Sequence, residues 1–341
     1  TRLLPHGSLM RLNREILRLS LPAIVSNITV PLLGLVDTTI AGHLGSETHI
    51  GAIAVGSMMM NVAFWLFGFL RMGTTGLTSQ ALGASDRSMC YKLLYQSLLV
   101  AVTIGLLLVA AQDVVLTAVS ALISADPAVG ELAARYFGIC IWEAPALLAT
   151  MVILGWFLGM QDTTRPMIIS VGVNIINIFF SLVFVFGLDM GFEGVAFGTL
   201  CANWCGLLLA IVLLWMFSRR TGGFVRMSVG SLLHAADLRR FFRVNTDIFF
   251  RSACIMSVSL AVTAIGARLG ETALAANAVI MQFFLFFSYF MDGMAFTGEA
   301  LVGRFAGASD ALMLRRCVRR ILIWAAAIAA VFFVVYVIGY R

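Results

Sequence analysis

Charge is what this sequence has least of. Asp, Glu, Lys and Arg make up 12% of its 341 residues, where soluble domains carry roughly 25%, and that scarcity excludes a water-soluble fold. Lysine occurs once, at Lys92, with no glycine-spaced phosphate loop before it, so the chain has no means of hydrolysing ATP. Neither H-E-x-x-H nor G-x-S-x-G occurs, which argues against a hydrolase, and we expect no enzyme. The six cysteines lie in or beside apolar runs without the spacing of a disulfide framework and read as packing residues. Cys201 and Cys205 are four apart but have no histidine nearby, so no metal site is expected.

What is present is hydrophobicity, at 61% of the residues. Apolar stretches of about 20 residues, each able to cross ~30 Å of hydrocarbon as a helix, recur from end to end. They predict an all-α integral membrane protein with nine spans near 16–41, 51–80, 93–120, 134–160, 166–187, 194–217, 244–267, 272–303 and 319–340. The first run follows Arg2, Arg11, Arg14 and Arg18, contains Pro22 and Pro31, and lacks a small-residue cleavage site after it, so it reads as a span and not a removable signal.

Basic residues concentrate on alternate loops. The N-terminal segment, Arg87 and Lys92, Arg165, and the stretches Arg219 to Arg243 and Arg304 to Arg320 hold eighteen, and the opposite loops hold only Arg135, Arg268 and Arg341. Retention of Lys and Arg on the inner side predicts a cytoplasmic N-terminus and an odd number of spans. The net charge of +6 follows from this bias and, with no stacking aromatics interleaved, does not suggest a nucleic-acid partner.

The chain also repeats itself. Gly83-Ala84-Ser85-Asp86 recurs as Gly307-Ala308-Ser309-Asp310, each copy after the second span of a half. A shift of 224 or 225 residues also lays Leu44-Gly45 on Leu269-Gly270, and Ala52, Ala54 and Val55 on Ala276, Ala278 and Val279. An even number of spans separates the copies, as in parallel repeats related by an axis along the membrane normal. The reading is an N-terminal lobe of six helices at 1–217, a cytoplasmic linker at 218–243, and a partial C-terminal lobe of about three helices at 244–341, with about three more expected beyond this fragment.

Charges inside spans cost about 2.5–3.5 kcal/mol each and so ask for a reason. Asp37, toward the outer end of the first helix, is the leading ion-coupling candidate, with Pro22 permitting a bend in the same helix. Thr38, Asn174 and Asn177 are candidate hydrogen-bond partners for it, the two asparagines sharing a face of the fifth helix. In the second half Asp247 and Arg251 are spaced for an intrahelical ion pair, and Asp292 and Glu299 lie seven apart on one face of the next helix. Arg71 is expected to snorkel or to pair with a carboxylate, and Glu143, beside Trp142 and Pro145, to be interfacial. The 17 methionines and 26 phenylalanines suit a greasy cavity but serve equally in packing and lipid contact.

Val36-Asp37-Thr38-Thr39-Ile40-Ala41-Gly42-His43-Leu44-Gly45 resembles the first-helix signature of multidrug and toxic-compound extrusion transporters of the DNA-damage-inducible F branch. Gly159-Met160-Gln161-Asp162-Thr163-Thr164-Arg165-Pro166, and Ala267-Arg268-Leu269-Gly270 leading to Asp292-Gly293 and Glu299-Ala300, are similar to that family too, and the resemblance covers the whole chain. It implies two six-helix lobes in a V, alternating access, and export of small amphipathic or cationic substrates in exchange for protons or sodium ions, with no other cofactor. The expected setting is the bilayer of a bacterial inner membrane, with the protein a monomer. In that family the first-helix aspartate, here Asp37, is the proposed ion site; a fifth-helix carboxylate of many relatives is Ser181 here, which leaves Asp37 with fewer acidic partners. A flippase of lipid-linked sugars would be expected to line its cavity with several basic residues, and only Arg71 and Arg251 are embedded. A membrane scaffold or receptor without transport is the remaining alternative.

Overall fold

A computed structural model of the chain describes residues 6–43, 47–121, 123, 126–225, 227, 229–232, 235–268 and 271–339. Among these the structure is helical throughout, with no strand. In hydrocarbon the backbone N–H and C=O groups are satisfied only in helices or closed barrels, and apolar runs of about 20 residues suit the helix.

The helices are α1 (His6–Gly42), α2 (Glu47–Trp65), α3 (Phe69–Gly83), α4 (Arg87–Ala110), α5 (Gln112–Ser120), α6 (Pro127–Cys140), α7 (Ala144–Gly159), α8 (Thr164–Leu182), α9 (Phe192–Arg220), α10 (Val229–Leu232), α11 (Ala235–Arg268), α12 (Glu271–Gly307) and α13 (Ala311–Gly339). Eight described stretches are long and apolar enough to cross a membrane. Two of them, Thr48–Gly83 and Pro127–Gly159, are made of consecutive helices joined through one 3₁₀ turn each. The expected span at 244–267 lies within α11, which is not among the eight; its side chains at 259, 260 and from 263 onward are outside the described set.

Several expected boundaries move. The third span begins earlier and ends at Ala110, where the backbone turns at Ala111 before α5 starts. Helix α9 runs to Arg220 and α11 starts at Ala235, so the stretch expected as a linker, 218–243, is helical at both ends. Helix α1 continues through both Pro22 and Pro31.

The core of the N-terminal half forms where α3, α4, α6, α7 and α9 meet. Trp156, Tyr91, Phe137, Phe157 and Leu94 are fully buried there, and the Trp156 indole N–H donates to the Cys90 carbonyl at 2.9 Å. A smaller cluster joins α1 to the second half, packing Leu12, Ile16 and Leu19 against Met294, Leu301 and Cys317.

The repeat is a structural one. Ser85 and Ser309 both take a left-handed backbone, at φ 57° and 55°. In each copy three backbone N–H groups close the end of the preceding helix: Ala84, Ser85 and Asp86 donate to Gln80, Leu82 and Ala81, and Ala308, Ser309 and Asp310 donate to Arg304, Ala306 and Phe305. Asp86 then caps the Met89 N–H and Asp310 the Met313 N–H, each at 2.9 Å. The two copies also meet. A Cβ on Gly83 would collide with the Arg304 carbonyl, and one on Gly307 with the Gln80 carbonyl, so α3 and α12 approach backbone to backbone at this end.

Gly83→Ala should therefore force the α3–α12 seam apart and cost about 1–3 kcal/mol, as overpacking does. A thermal unfolding scan in detergent reads this as a lowered midpoint; Gly34→Ala, where nothing lies within 4 Å of the added carbon, should leave the midpoint unchanged.

Candidate ion-coupling site

Helix α1 carries Asp37 at the end opposite its basic N-terminal segment. The carboxylate is half-buried, and its Oδ1 atom is buried with no hydrogen-bond partner among the described residues. Neither asparagine expected to serve it does so. Asn174 donates to Thr29 Oγ1 at 2.7 Å, and Asn177 donates to Thr199 Oγ1 at 3.1 Å. The reason is register: Asn174 lies about two turns below Asp37 on the facing helix and meets α1 at Thr29, while Asn177 turns toward α9. Buried Ser181 donates to Asn177 Oδ1 at 3.4 Å. The Thr38 side chain lies outside the described ones.

What surrounds Asp37 comes from helices the sequence reading passed over. Tyr136 of α6 is buried, and Ser57, Thr199 and, more weakly, Asp37 are among the groups that act electrostatically on its hydroxyl. Asp37 acts in the same way on Cys140, one turn further along α6, whose thiol donates to the Ala196 carbonyl at 3.7 Å. Thr199 is the junction of the group, since its hydroxyl accepts from Asn177 and donates back to the Val195 carbonyl at 3.1 Å. The sequence signal was weak, because a tyrosine, a threonine and an asparagine in apolar runs read as ordinary helix-to-helix hydrogen bonding.

Glu143 departs from its expected interfacial place. It is 4% exposed and is the middle residue of the 33-residue span Pro127–Gly159. Pro145 explains the local structure: with no N–H to give, it interrupts the ladder, and residues Ile141–Glu143 form a 3₁₀ turn between α6 and α7. Asn203 of α9 donates to Glu143 Oε2 at 2.9 Å and to the Thr199 carbonyl at 3.2 Å.

In the second half, Glu299 of α12 pairs with Arg71 of α3 at 3.4 Å, and the Arg71 guanidinium lies 3.9 Å from the centre of the Phe296 ring. This settles Arg71 as the partner of a carboxylate and makes the pair a bond between the two halves. Asp292 shares the electrostatic field of Arg71 but is exposed. Asp247 and Arg251 form no ion pair among the described residues; both are exposed, and Arg251 instead reaches Met72 Sδ at 3.5 Å, because α11 turns it toward α3. Further ties between the halves are Arg304 to Glu15 at 2.7 Å, Asn27 to the Tyr289 carbonyl at 3.1 Å, and Gln161 to the Ala300 carbonyl at 2.7 Å.

With this geometry in place, the chain can be compared with known proteins. The MatE family model matches residues 22–183 and 248–340. The chain belongs to the MatE family. It is 37% identical over 330 residues to DNA damage-inducible protein F of Escherichia coli, covering 96% of this chain and 71% of that protein, which agrees with the branch read from the motifs. It is 26% identical over 211 residues to the probable multidrug resistance protein NorM of Thermotoga maritima, covering 60% of this chain and 44% of that one. Among solved structures, an outward-facing multidrug resistance MATE family transporter superposes with a TM-score of 0.83 at 20% identity, over 98% of this chain and 74% of the other. A MOP superfamily transporter from Pyrococcus furiosus, described as having a binding pocket of reversed polarity, gives 0.83 at 19% identity, over 96% and 73%. At those identities the structures establish the fold, that of a multi-pass membrane protein.

The Arg71–Glu299 pair should be energetically coupled. A double-mutant cycle with Arg71→Gln and Glu299→Gln, read by chemical unfolding in detergent, is expected to give a coupling of about 0.5–3 kcal/mol, the range for residues in contact. Coupling near zero would mean that the pair does not hold the halves together.

Proposed function

We propose that this chain acts in an ion-coupled antiporter that exports small amphipathic or cationic compounds by alternating access. The observation that carries the reading is Asp37: an embedded carboxylate with a buried oxygen that no group among the described residues satisfies, at one end of a helix that touches both halves of the molecule. A group in that position gains a partner when a proton or sodium ion arrives, and the change in its charge alters what α1 prefers to pack against. Pro22 supplies the point at which α1 can bend, since its ring removes one link of the helical ladder. The relatives' names, which speak of multidrug resistance, support the substrate class.

The basic ends of the helices set the orientation. Arg11, Arg14, Arg18, Arg87, Arg165, Arg219 and Arg304 stand at the end where Gly83 and Gly307 meet, and placing that end in the cytoplasm of an inner membrane follows the positive-inside rule. The α3–α12 seam then closes the cytoplasmic side, and the ion enters near Asp37 from the opposite side. Arg71, engaged by Glu299, is not available to hold a pyrophosphate, which weighs against a flippase of lipid-linked sugars.

In everted vesicles carrying the protein, adding tetraphenylphosphonium under a pH gradient should release protons without sodium, and Asp37→Asn should lower that release. Release unchanged in Asp37→Asn under both proton and sodium gradients would overturn the assignment of Asp37.

A further inference from the structure

Glu143 has no part in the reading above, yet it is the carboxylate most completely withdrawn from water in the N-terminal half. It sits at the middle of a membrane span, 4% exposed, in a 3₁₀ turn between two helices. Among the described residues no arginine or lysine pairs with it, and its recorded hydrogen bond is from the neutral amide of Asn203. The wall around it is closed: a Cβ on Gly105 of α4 would collide with Pro145, so α4 lies directly against the chain two residues beyond Glu143.

An ionised carboxylate in such a place would face a desolvation cost that one amide donor does not offset, and groups so placed usually become neutral instead. Three other glutamates among the described residues have a charged partner. Glu299 has Arg71, Glu15 has Arg304, and Glu193 has Arg135 at 3.1 Å. Glu143 has no such partner among them. The titratable groups facing it from its own and neighbouring helices are Cys140 and, two turns away along α6, Tyr136; none of them is cationic.

Its surroundings also extend into the lobe that holds Asp37. Asn203 holds Glu143 and the Thr199 carbonyl, the Thr199 hydroxyl receives Asn177, and Thr199 and, more weakly, Asp37 act electrostatically on Tyr136. From Tyr136 on α6 to Glu143 in the 3₁₀ turn is seven residues, a step of about 10–12 Å at helical rises. Glu143 thus heads a hydrogen-bonded set of Asn203, Thr199 and Asn177 in the same lobe as Asp37, with Asp37 at the far end of α1 and Glu143 at mid-span.

We propose that Glu143 is a second proton-binding site of the N-terminal lobe, holding a proton in this conformation and releasing it when the lobe rearranges, so that the lobe carries two protons where Asp37 alone would carry one. The balance is simple: the O–H bond of the Glu143 acid breaks, the proton leaves to water admitted by the rearrangement, and the carboxylate is protonated again when the lobe closes. Motion at the 3₁₀ turn, where the ladder is already interrupted by Pro145, is the natural place for water to enter. This deepens the antiporter reading and rests on it for the coupling, but not for the proton itself.

The test is infrared difference spectroscopy on the protein in lipid, stepped between acid and alkaline pH, for wild type, Glu143→Gln, Asn203→Ala and Asp37→Asn. We expect an acid carbonyl band present at neutral pH that is missing in Glu143→Gln and shifted in Asn203→Ala, which leaves the carboxyl in place and removes its donor. A second band should disappear in Asp37→Asn. On adding tetraphenylphosphonium, each single carboxylate variant should release one proton fewer than wild type, and the double variant none. If Glu143→Gln has the wild-type spectrum, Glu143 holds no proton and the proposal is overturned. A Glu143 band that stays constant while wild type releases its protons would make the residue a fixed structural acid, which also overturns it. Loss of the Glu143 band and its proton with Asp37→Asn behaving as wild type would instead sink the Asp37 reading and leave Glu143 standing.

Discussion

Within a bilayer core the protein has no solvent to satisfy its polar groups, and this one constraint accounts for most of the structure. Backbone groups answer it by forming helices. Side chains answer it in pairs across helices: Asn174 with Thr29, Asn177 with Thr199, Asn203 with Glu143, Arg71 with Glu299. Several buried side-chain atoms have no partner among the described residues, and Asp37 Oδ1 is the one carboxylate oxygen among them. A partner supplied from outside the protein is the simplest thing that satisfies it, which is why an embedded carboxylate of this kind belongs to function more readily than to stability.

The same absence of solvent removes the hydrophobic drive for helices to associate, so contact has to come from close packing. Glycine provides it where the two repeats meet, Gly83 against Arg304 and Gly307 against Gln80. The contact is reciprocal because the sequence is repeated, and the shared left-handed residue at Ser85 and Ser309 keeps the two turns alike. The turn after α7 has the same form, with Gln161 at φ 64° and Asp162 accepting from Thr164 and Arg165. From that turn Gln161 reaches across to Ala300. The end of the molecule that carries the basic residues is thus an end at which the halves are closely joined, and the Arg71–Glu299 pair lies deeper along the same seam, eight residues from Gly307 on α12 and twelve from Gly83 on α3.

Much of this was legible without coordinates. Hydropathy gave the helices because length and apolarity are properties of the chain itself, and the repeat of Gly-Ala-Ser-Asp showed the two halves because identical letters at a fixed displacement need no folding to be seen. The embedded charges were equally visible. Their partners were not. Asn174 and Asn177 share a helix face with each other, but which helix that face meets depends on rotation and crossing of α1, α8 and α9, and these turned both amides away from Asp37. Glu143 stood beside a tryptophan, a common mark of the membrane interface, and nothing in the local sequence distinguishes that setting from a proline-broken turn at mid-span.

The sequence by itself determined that the chain is a bundle of membrane helices built as a repeat, with a small set of carboxylates and arginines set in apolar surroundings, because composition, period and repetition are one-dimensional properties. Only the tertiary structure decided which of those charges are neutralised and which are left alone. Arg71 finds Glu299 from 228 residues away, and Glu143 finds Asn203 from 60, whereas Asp247 and Arg251, four residues apart, do not pair. Partnership among embedded groups is set by how helices pack, since a side chain's environment in a bilayer is made by the helix opposite it and not by its neighbours in the chain.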